Sequence, residues 1–400
     1  MTGRSSFDAG TLAASDVLRI LADGRPRTRG ELAETLGLAR ATVALRIDPL
    51  VGAGLLGSLL DAPSTGGRPP SRLTLRAGSR LVLAADLGAT RGRVALTDLA
   101  GLVLASRSRA IAITEGPERV LSWVLDAVDA LALDLGRPLG DIAAVGMGLP
   151  GPVDHGSGRP AQPPQMPGWD GYDVPARLQA RLPVPVLVDN DVNIMARGER
   201  AIAWPEVDDF VFVKVATGIG AGIISGGILQ RGAQSIAGHI GHLPVARAAA
   251  VRCGCGNTGC VTAVASGGAV ADRLRAEGVP AHESADVADL VLAGDERAIA
   301  AVRQAGLDLG DVLVACTGFV NPAVIAVGGS LARSGEPLLD GIREVLRARA
   351  MPLAARSLVV AESRTGRDAG VIGAALMAVE HLFSPRGVAA LLDRQPQPAR

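Results

Sequence analysis

Aromatic side chains make up only 2% of these 400 residues, while glycine occurs 51 times. Few rings, many glycines and 48% apolar residues spread along the whole length exclude a disordered chain. They suit α/β domains with many tight connections. No N-terminal apolar run resembles a signal peptide, and no stretch of membrane-spanning length is free of charges and breakers. The expectation is a soluble cytoplasmic protein without a membrane partner. The length predicts two or three domains. Net charge is absent too, formally zero, but residues 1–80 hold eleven arginines against seven acids. That leaves about +4 there and about −4 elsewhere, the distribution a nucleic-acid contact requires. Cysteine is rare, at four residues, yet three of them crowd into RCGCGNTGC, Arg252–Cys260. In a reducing cytosol such a cluster points to metal ligands rather than disulfides. Cys316, alone in the apolar GDVLVACTGFV, reads as a packing residue.

The first eighty residues carry a helix-turn-helix pattern. AASDVLRILADG spaces Val17, Leu18, Ile20 and Leu21 for a helix. In RTRGELAETLG, Thr28 and Glu31 form a capping box and Gly37 ends the helix. LARATVALRIDPLVGAGLL gives the next helix, with Val43, Ile47 and Leu50 inward. Arg40, Thr42, Ala44 and Arg46 are expected on its exposed side, facing bases of an operator DNA. LLGSLLDAPSTGGRPPSRLTLRAG reads as a two-stranded wing whose Gly-Gly-Arg-Pro-Pro tip presents Arg68 to a minor groove. The same fold used for protein contacts is the plainer alternative.

Beyond residue 78 the pattern changes to strands and glycine turns. RLVLAADLGATRGRVALTDLAGLVLASRSRAI predicts three strands, with Asp86, Gly88 and Thr90 at the first turn. Small residues there let backbone N–H groups approach a phosphate, and an acid can hold Mg²⁺ through water. A helix is expected over 117–135, then a strand in DIAAVGMGLPGPVD. VPVLVDNDVNIMARGER predicts a strand ending in Asp189-Asn190-Asp191 and a helix. Either acid there is a candidate general base, or a cap for that helix. DDFVFVKVATGIGAGIISGGILQRG repeats the strand–turn–strand theme, with Gly218, Gly220 and Gly222 in the turn region. NPAVIAVGGSL and GRDAGVIGAAL place further glycines beside helices. Two halves that each open on such a hairpin predict a duplicated nucleotide-binding architecture, like that of actin and sugar kinases.

His242, Cys253, Cys255 and Cys260 offer one nitrogen and three thiolates, a closed structural zinc set. With DLGAT, GLPGPVD, DNDVN, TGIGAG, GHIGH and CGCGNTGC, the chain from its winged helix to about residue 383 resembles the ROK family of repressors and sugar kinases. The resemblance implies a winged helix-turn-helix over 1–78 followed by a two-lobed actin-like, sugar-kinase fold with structural zinc. The lobes would span 79–195 and 196–385, with the last helix returning to the first lobe and 386–400 as a flexible tail. It also implies ligand contacts from Gly88, Ala89, Gln165, Asn190, Asp191, His239, His242 and Thr262. In the kinases Asp191 would be the base. Any nucleotide would lie along Asp86, Thr90, Thr217, Gly218 and Gly220, with its adenosine by Gly328 and Gly329. A homodimer or tetramer is implied.

The chain departs from the kinase pattern where acids are expected. His239 stands in place of a Glu in G-E-x-G-H, and Thr262 in place of a Glu after the last cysteine. Each lost charge-assisted bond to a sugar hydroxyl is worth roughly 1.5–3 kcal/mol. Ala89 and Arg91 replace a Gly and a Lys. The expectation is therefore a transcriptional regulator, a repressor by analogy, sensing a sugar-derived effector and making little use of ATP and Mg²⁺. A sugar acid or sugar phosphate fits a pocket that has lost anions and gained a protonatable His239. An ATP-dependent sugar kinase using Asp191 is the alternative.

Overall fold

The computed structural model describes residues 9–59 and 71–393. Arg68 and the tip of the expected wing lie outside the described residues. The N-terminal unit runs α1 (Ala9–Leu21), β1 (Arg27–Thr28), α2 (Arg29–Leu36), α3 (Arg40–Gly52), β2 (Leu56–Leu59) and β3 (Arg72–Leu75). Its antiparallel sheet has the order β1-β3-β2, which is a winged-helix arrangement. The local signals act as the sequence predicts. Thr28 Oγ1 accepts from the Glu31 amide at 3.1 Å, and Glu31 Oε2 accepts from the Thr28 amide at 2.6 Å. Gly37 ends α2 at φ 63°, a left-handed conformation that costs glycine little.

The first lobe holds β4 (Leu81–Leu87), β5 (Arg91–Thr97), β6 (Val103–Ala110), α4 (Pro117–Asp134), β7 (Ile142–Leu149), the short pair β8 (Val153–Asp154) and β9 (Arg159–Pro160), α5 (Val174–Gln179) and β10 (Val186–Asn190). Its main sheet has the order β10-β7-β4-β5-β6. The chain crosses to the second lobe through α6 (Asp191–Ala203) and continues with β11 (Phe210–Val215), β12 (Ile219–Ser225) and β13 (Ile228–Gln230). Helices α7 (Thr262–Ala265), α8 (Gly267–Ala276), α9 (Ser284–Leu292) and α10 (Glu296–Val320) follow. Then come β14 (Val324–Gly328), α11 (Glu336–Arg349), α12 (Pro352–Ser357) and β15 (Val359–Glu362). This sheet has the order β13-β12-β11-β14-β15, with the first three strands antiparallel and the last two parallel, as in the first lobe. The duplication anticipated from the two glycine-turn hairpins is thus present.

Three boundaries differ from the sequence reading. The division at 195/196 falls inside α6, a continuous helix that belongs to both lobes. After α13 (Ala369–Leu382), which does return to the first lobe and packs on β4 and β7, the chain forms α14 (Pro385–Asp393), so the expected tail is helical as far as Asp393, and its remainder, 394–400, lies outside the described residues. Val388 and Leu391 are buried at helical spacing, a stripe short enough to be overlooked beside the QPQP run that follows. The winged helix is also not a separate core. Leu18, Ile47 and Leu50 share one apolar cluster with Val82 and Ala144 of the first lobe, Ala374 of α13 and Val388 of α14. Buried Ser15 of α1 donates to the carbonyl of Phe383 at 2.5 Å.

Helices α6 and α13 approach backbone to backbone. A Cβ at Gly373 would lie 1.7 Å from the Ile194 carbonyl oxygen, and one at Gly198 would lie 2.0 Å from that of Ala369. Only glycine permits this spacing, because backbone atoms cannot rotate away as a side chain can. Gly373→Ala is therefore expected to force the helices apart and lower stability by about 1–3 kcal/mol or more. Denaturant unfolding measures it, and an unchanged midpoint would mean that the helices do not touch.

Candidate ligand cleft and metal site

The cleft is built where β4, β10 and α6 of the first half meet β11 and β12 of the second. Gly88, Ala89 and Thr90 form the turn between β4 and β5, with the Gly88 amide donating to Arg91 O at 2.8 Å. The carbonyls of Ala89 and Thr90 accept from Ile113 and Ile111, so this turn is anchored to the segment before α4. At the end of β10 the three residues of DND separate in role. Asn190 caps α6, its Oδ1 accepting from Val192 N at 2.9 Å, and its Nδ2 donates to Gly151 O at 2.8 Å. The cap is thus neither of the two acids proposed for it.

Asp189 is 1% exposed and fully engaged. It accepts from Arg231 Nε at 2.7 Å, Asn193 Nδ2 at 2.7 Å and the Asn190 amide at 2.8 Å. His155 Nδ1 lies 3.6 Å away and donates to Val188 O at 2.8 Å. Arg231 comes from the segment after β13, so this buried carboxylate ties the second lobe's loop to the first lobe's strand. It has no oxygen free to serve as a base.

Asp191, also buried, pairs with Lys214 Nζ from β11. Burial opposes the Lys214 charge, but Asp191 and Asp86 outweigh it and hold the ammonium above its usual range. Burial pushes the Asp86 carboxyl up to about 6; Lys214 opposes this, Asp191 reinforces it, and Arg93 opposes it more weakly. Asp86 lies against α13, where a Cβ at Gly370 would come within 2.1 Å of its Oδ2. Lys214 was not singled out from the sequence. The available signal was compositional: it is the chain's only lysine.

On the opposite wall, Thr217 and Gly218 are exposed at the β11–β12 turn, and Gly220 lies on β12. A Cβ at Gly218 would approach Thr262 Oγ1 to 3.9 Å, so Thr262 sits beside this glycine turn. Gly328 closes β14, and Gly329, at φ 96°, lies tight against the Val215 backbone. Ser330 Oγ bonds Ser284 Oγ at 2.8 Å, fixing the turn after β14 to α9. His239 is half-buried, and its Nε2 is buried without a partner among the described residues. Burial, with His242 close by, lowers the pKa of this imidazole. The protonatable His239 expected from the sequence is thus disfavoured as a cation, and its ring can still exchange one hydrogen bond with a ligand.

The ligand atoms of His242, Cys253, Cys255 and Cys260 all lie within 4.8 Å of one another. Cys253 Sγ to His242 Nδ1 and Cys255 Sγ to Cys260 Sγ both measure 3.7 Å. A tetrahedron with Zn–S bonds near 2.3 Å has edges of about 3.8 Å, so the donor set fits that ion and these sulfurs are not disulfide-bonded. Gly256 and Gly259 turn the loop at φ 93° and 89°. Arg247 braces the knot on α10, its Nε reaching Asp308 at 2.8 and 2.9 Å. Gln165 of the first lobe faces this loop, its Nε2 3.3 Å from where a Gly254 Cβ would be.

At the other end of the molecule, Arg40 is exposed at the start of α3, while Thr42, Ala44 and Arg46 are half-buried. Arg46 Nε is buried without a partner among the described residues. Every second residue of a helix advances about 200°, so four residues spaced by two cannot share one face. Leu45, 67% exposed, occupies the outward position that the even-numbered series left out.

A pH dependence follows from Asp86. Its ordinary value is 3.8, and in the folded chain it rises to about 6. The folded state holds the extra proton between these values. The stability from this group is therefore complete below about pH 4 and is lost as pH rises through about 6. Thermal unfolding of wild type and Asp86→Asn should diverge across that window and run parallel above it. Parallel curves throughout would show that Asp86 is not desolvated.

A family model described as the ROK family matches residues 82–381, and a helix-turn-helix domain model matches residues 13–56. A putative xylose repressor of Caldicellulosiruptor sp. (strain Rt8B.4) is 26% identical over 92% of this chain and 95% of its own. A solved ROK family transcriptional regulator, titled a homolog of the E. coli MLC protein, shares the fold with a TM-score of 0.82 at 24% identity. It covers 96% of this chain and 99% of its own. The ROK family glucokinase of Streptomyces griseus, solved with glucose and AMPPNP, is 28% identical with a TM-score of 0.66, covering 74% of this chain and 99% of its own.

Proposed function

The chain belongs to the ROK family, and from that premise we propose that it is a DNA-binding transcriptional regulator, a repressor, whose kinase-like lobes bind a sugar-derived effector. The observation that carries this reading is the single apolar core that joins the winged helix to the first lobe through α13 and α14. A DNA-reading unit packed this way moves with the lobes. Repressor-type relatives match across both parts, whereas the glucokinase leaves about a quarter of this chain unmatched.

Effector binding would shift the population toward a closed cleft. Closure acts on α6, which carries Asp191 at its start, and α6 is locked to α13 by the glycine contacts. Helix α13 leads into α14, which packs on α1. A change in the cleft therefore has a continuous route to the orientation of α3. In a homodimer or tetramer, it would change the spacing of two recognition helices on a palindromic operator. The same reading places the protein in the cytoplasm.

Asp191 paired with Lys214 weakens the kinase reading, because the ammonium holds one of its two oxygens and only the other remains to accept from a hydroxyl. The pocket's new group, His239, supports a ligand that supplies a hydrogen-bond partner where the kinases have a carboxylate. As burial disfavours the cation, the preference for sugar acids or sugar phosphates would arise from missing anions rather than an added cation. The Cys₃His knot would hold structural zinc, which has no open position there for chemistry.

Operator binding, calorimetry and metal analysis test the reading. Arg40→Ala is expected to weaken binding to the chain's own operator by roughly 1–3 kcal/mol if it contacts a base. An effector drawn from sugars, sugar acids and sugar phosphates should release wild type from that DNA. Unaltered operator affinity in Arg40→Ala and Arg46→Ala together would remove α3 from the interface, and micromolar binding of neutral glucose by calorimetry would show that the lost carboxylates are immaterial. Metal analysis of freshly purified protein should find about one zinc per chain, lost in Cys255→Ser together with much of the second lobe's stability. Metal-free wild type of unchanged stability would rule the ion out.

A further inference from the structure

Thirty-nine arginines and one lysine supply this chain's fixed cations, and the lysine is in the cleft. Lys214 extends from β11 to Asp191 at the first turn of α6. Asp86 of β4 pairs in register with Gly148 of β7, and a Cβ on Gly148 would lie 3.2 Å from the Asp191 Cα, so the two acids are neighbours and both act on this ammonium. Its side chain is 20% exposed and that of Asp191 is 7% exposed. Elsewhere the sequence meets every need for positive charge with arginine. A guanidinium is a broad planar fork, whereas an ammonium is a compact point charge. The one place that holds lysine is the one where a cation must fit between two carboxylates on different elements.

Those carboxylates are the acids that a phosphoryl-transfer site would need for a divalent ion and for a base. With a fixed ammonium between them, a divalent cation would sit against a like charge, and Asp191 Oδ2 is already taken. The nucleotide and Mg²⁺ that the kinase fold implies do not fit these residues. We infer that Lys214 is the resident cation of the cleft: it takes the place of a divalent ion between Asp86 and Asp191 and makes ligand binding there independent of metal and nucleotide. The inference rests on the effector-binding reading above. Asp191 then acts as a positioning group. Lys214 holds one of its oxygens, and the other is left to accept from a ligand hydroxyl.

The test uses the full-length, metal-loaded protein and Mn²⁺ alone as the probe, read by electron paramagnetic resonance. Mn²⁺ favours carboxylate oxygen over thiolate, so the cysteine knot does not compete for it. Wild type should bind no more Mn²⁺ than Asp86→Asn does. Lys214→Met, similar in length and uncharged, should gain a site at least about tenfold tighter than wild type has. Adding Asp86→Asn should abolish that gain. A folded Lys214→Met that gains no Mn²⁺ overturns the inference. Should that variant fail to fold, wild type against Asp86→Asn still decides, because Asp86-dependent Mn²⁺ binding by wild type overturns it equally. Operator binding in the same samples keeps the two readings apart. Wild type that binds its operator yet takes up Mn²⁺ at Asp86 sinks the cation assignment alone, whereas loss of operator binding bears only on the regulator reading.

Discussion

The contact between α6 and α13 is the constraint on which the other parts depend. Gly198 and Gly373 bring the two helix backbones together, and Gly146 of β7 admits the Ala374 carbonyl of the same helix. Three closely placed backbones leave no adjustable side chains between them, so α6 cannot move without α13. Asp191 opens α6, Asp86 lies against Gly370 of α13, and α14 follows directly from α13. The ligand cleft and the winged helix are therefore attached to opposite ends of one rigid pair. Glu199 strengthens the pair from within: it is fully buried on α6 and accepts from Ser363 Oγ and the amides of Arg364 and Thr365, just ahead of α13.

Charge inside the cleft is arranged in two separate sets. Asp189 faces Arg231 and closes the first lobe onto the loop after β13, whereas Asp191, two residues on, faces Lys214 and Asp86. Both acids are nearly without solvent access, and an unpaired buried carboxylate is costly, so each is matched by a cation from the second lobe. Pairing across lobes makes cleft geometry and charge balance the same problem. The Cys₃His knot solves a different one. It gathers four possible ligands within 4.8 Å in the segment between β13 and α7, which has little regular structure, and Arg247 of that segment is fastened to Asp308 of α10.

Much of this was legible in the sequence. Glycine turns, alternating strands and capping residues act locally, so Thr28 with Glu31, the hairpins around Gly88 and Gly218, and the C-x-C-x₄-C spacing carried their meaning unaided. The winged-helix order, the duplicated sheet and the clustering of His242 with three cysteines followed from them. Readings that failed were those that needed an environment. Arg46 was expected on the exposed side of α3, and it is half-buried with its Nε enclosed. His239 was read as protonatable, and burial works against that proton. The first part of the expected tail, as far as Asp393, is a helix whose Val388 and Leu391 are buried in the shared core.

By itself the sequence determined the elements, their order and the chemistry of the groups offered, because propensity, capping and ligand type are properties of a few neighbouring residues. Tertiary structure alone decided that Asp189 is locked by Arg231 and Asn193, and that a single lysine twenty-three residues from Asp191 is its partner. It also decided that the DNA-reading unit shares its core with a lobe whose strands begin after it and whose last helices lie more than three hundred residues away. Burial and pairing arise only when distant segments meet, and both set the charge, reach and freedom of a side chain. No local pattern encodes them.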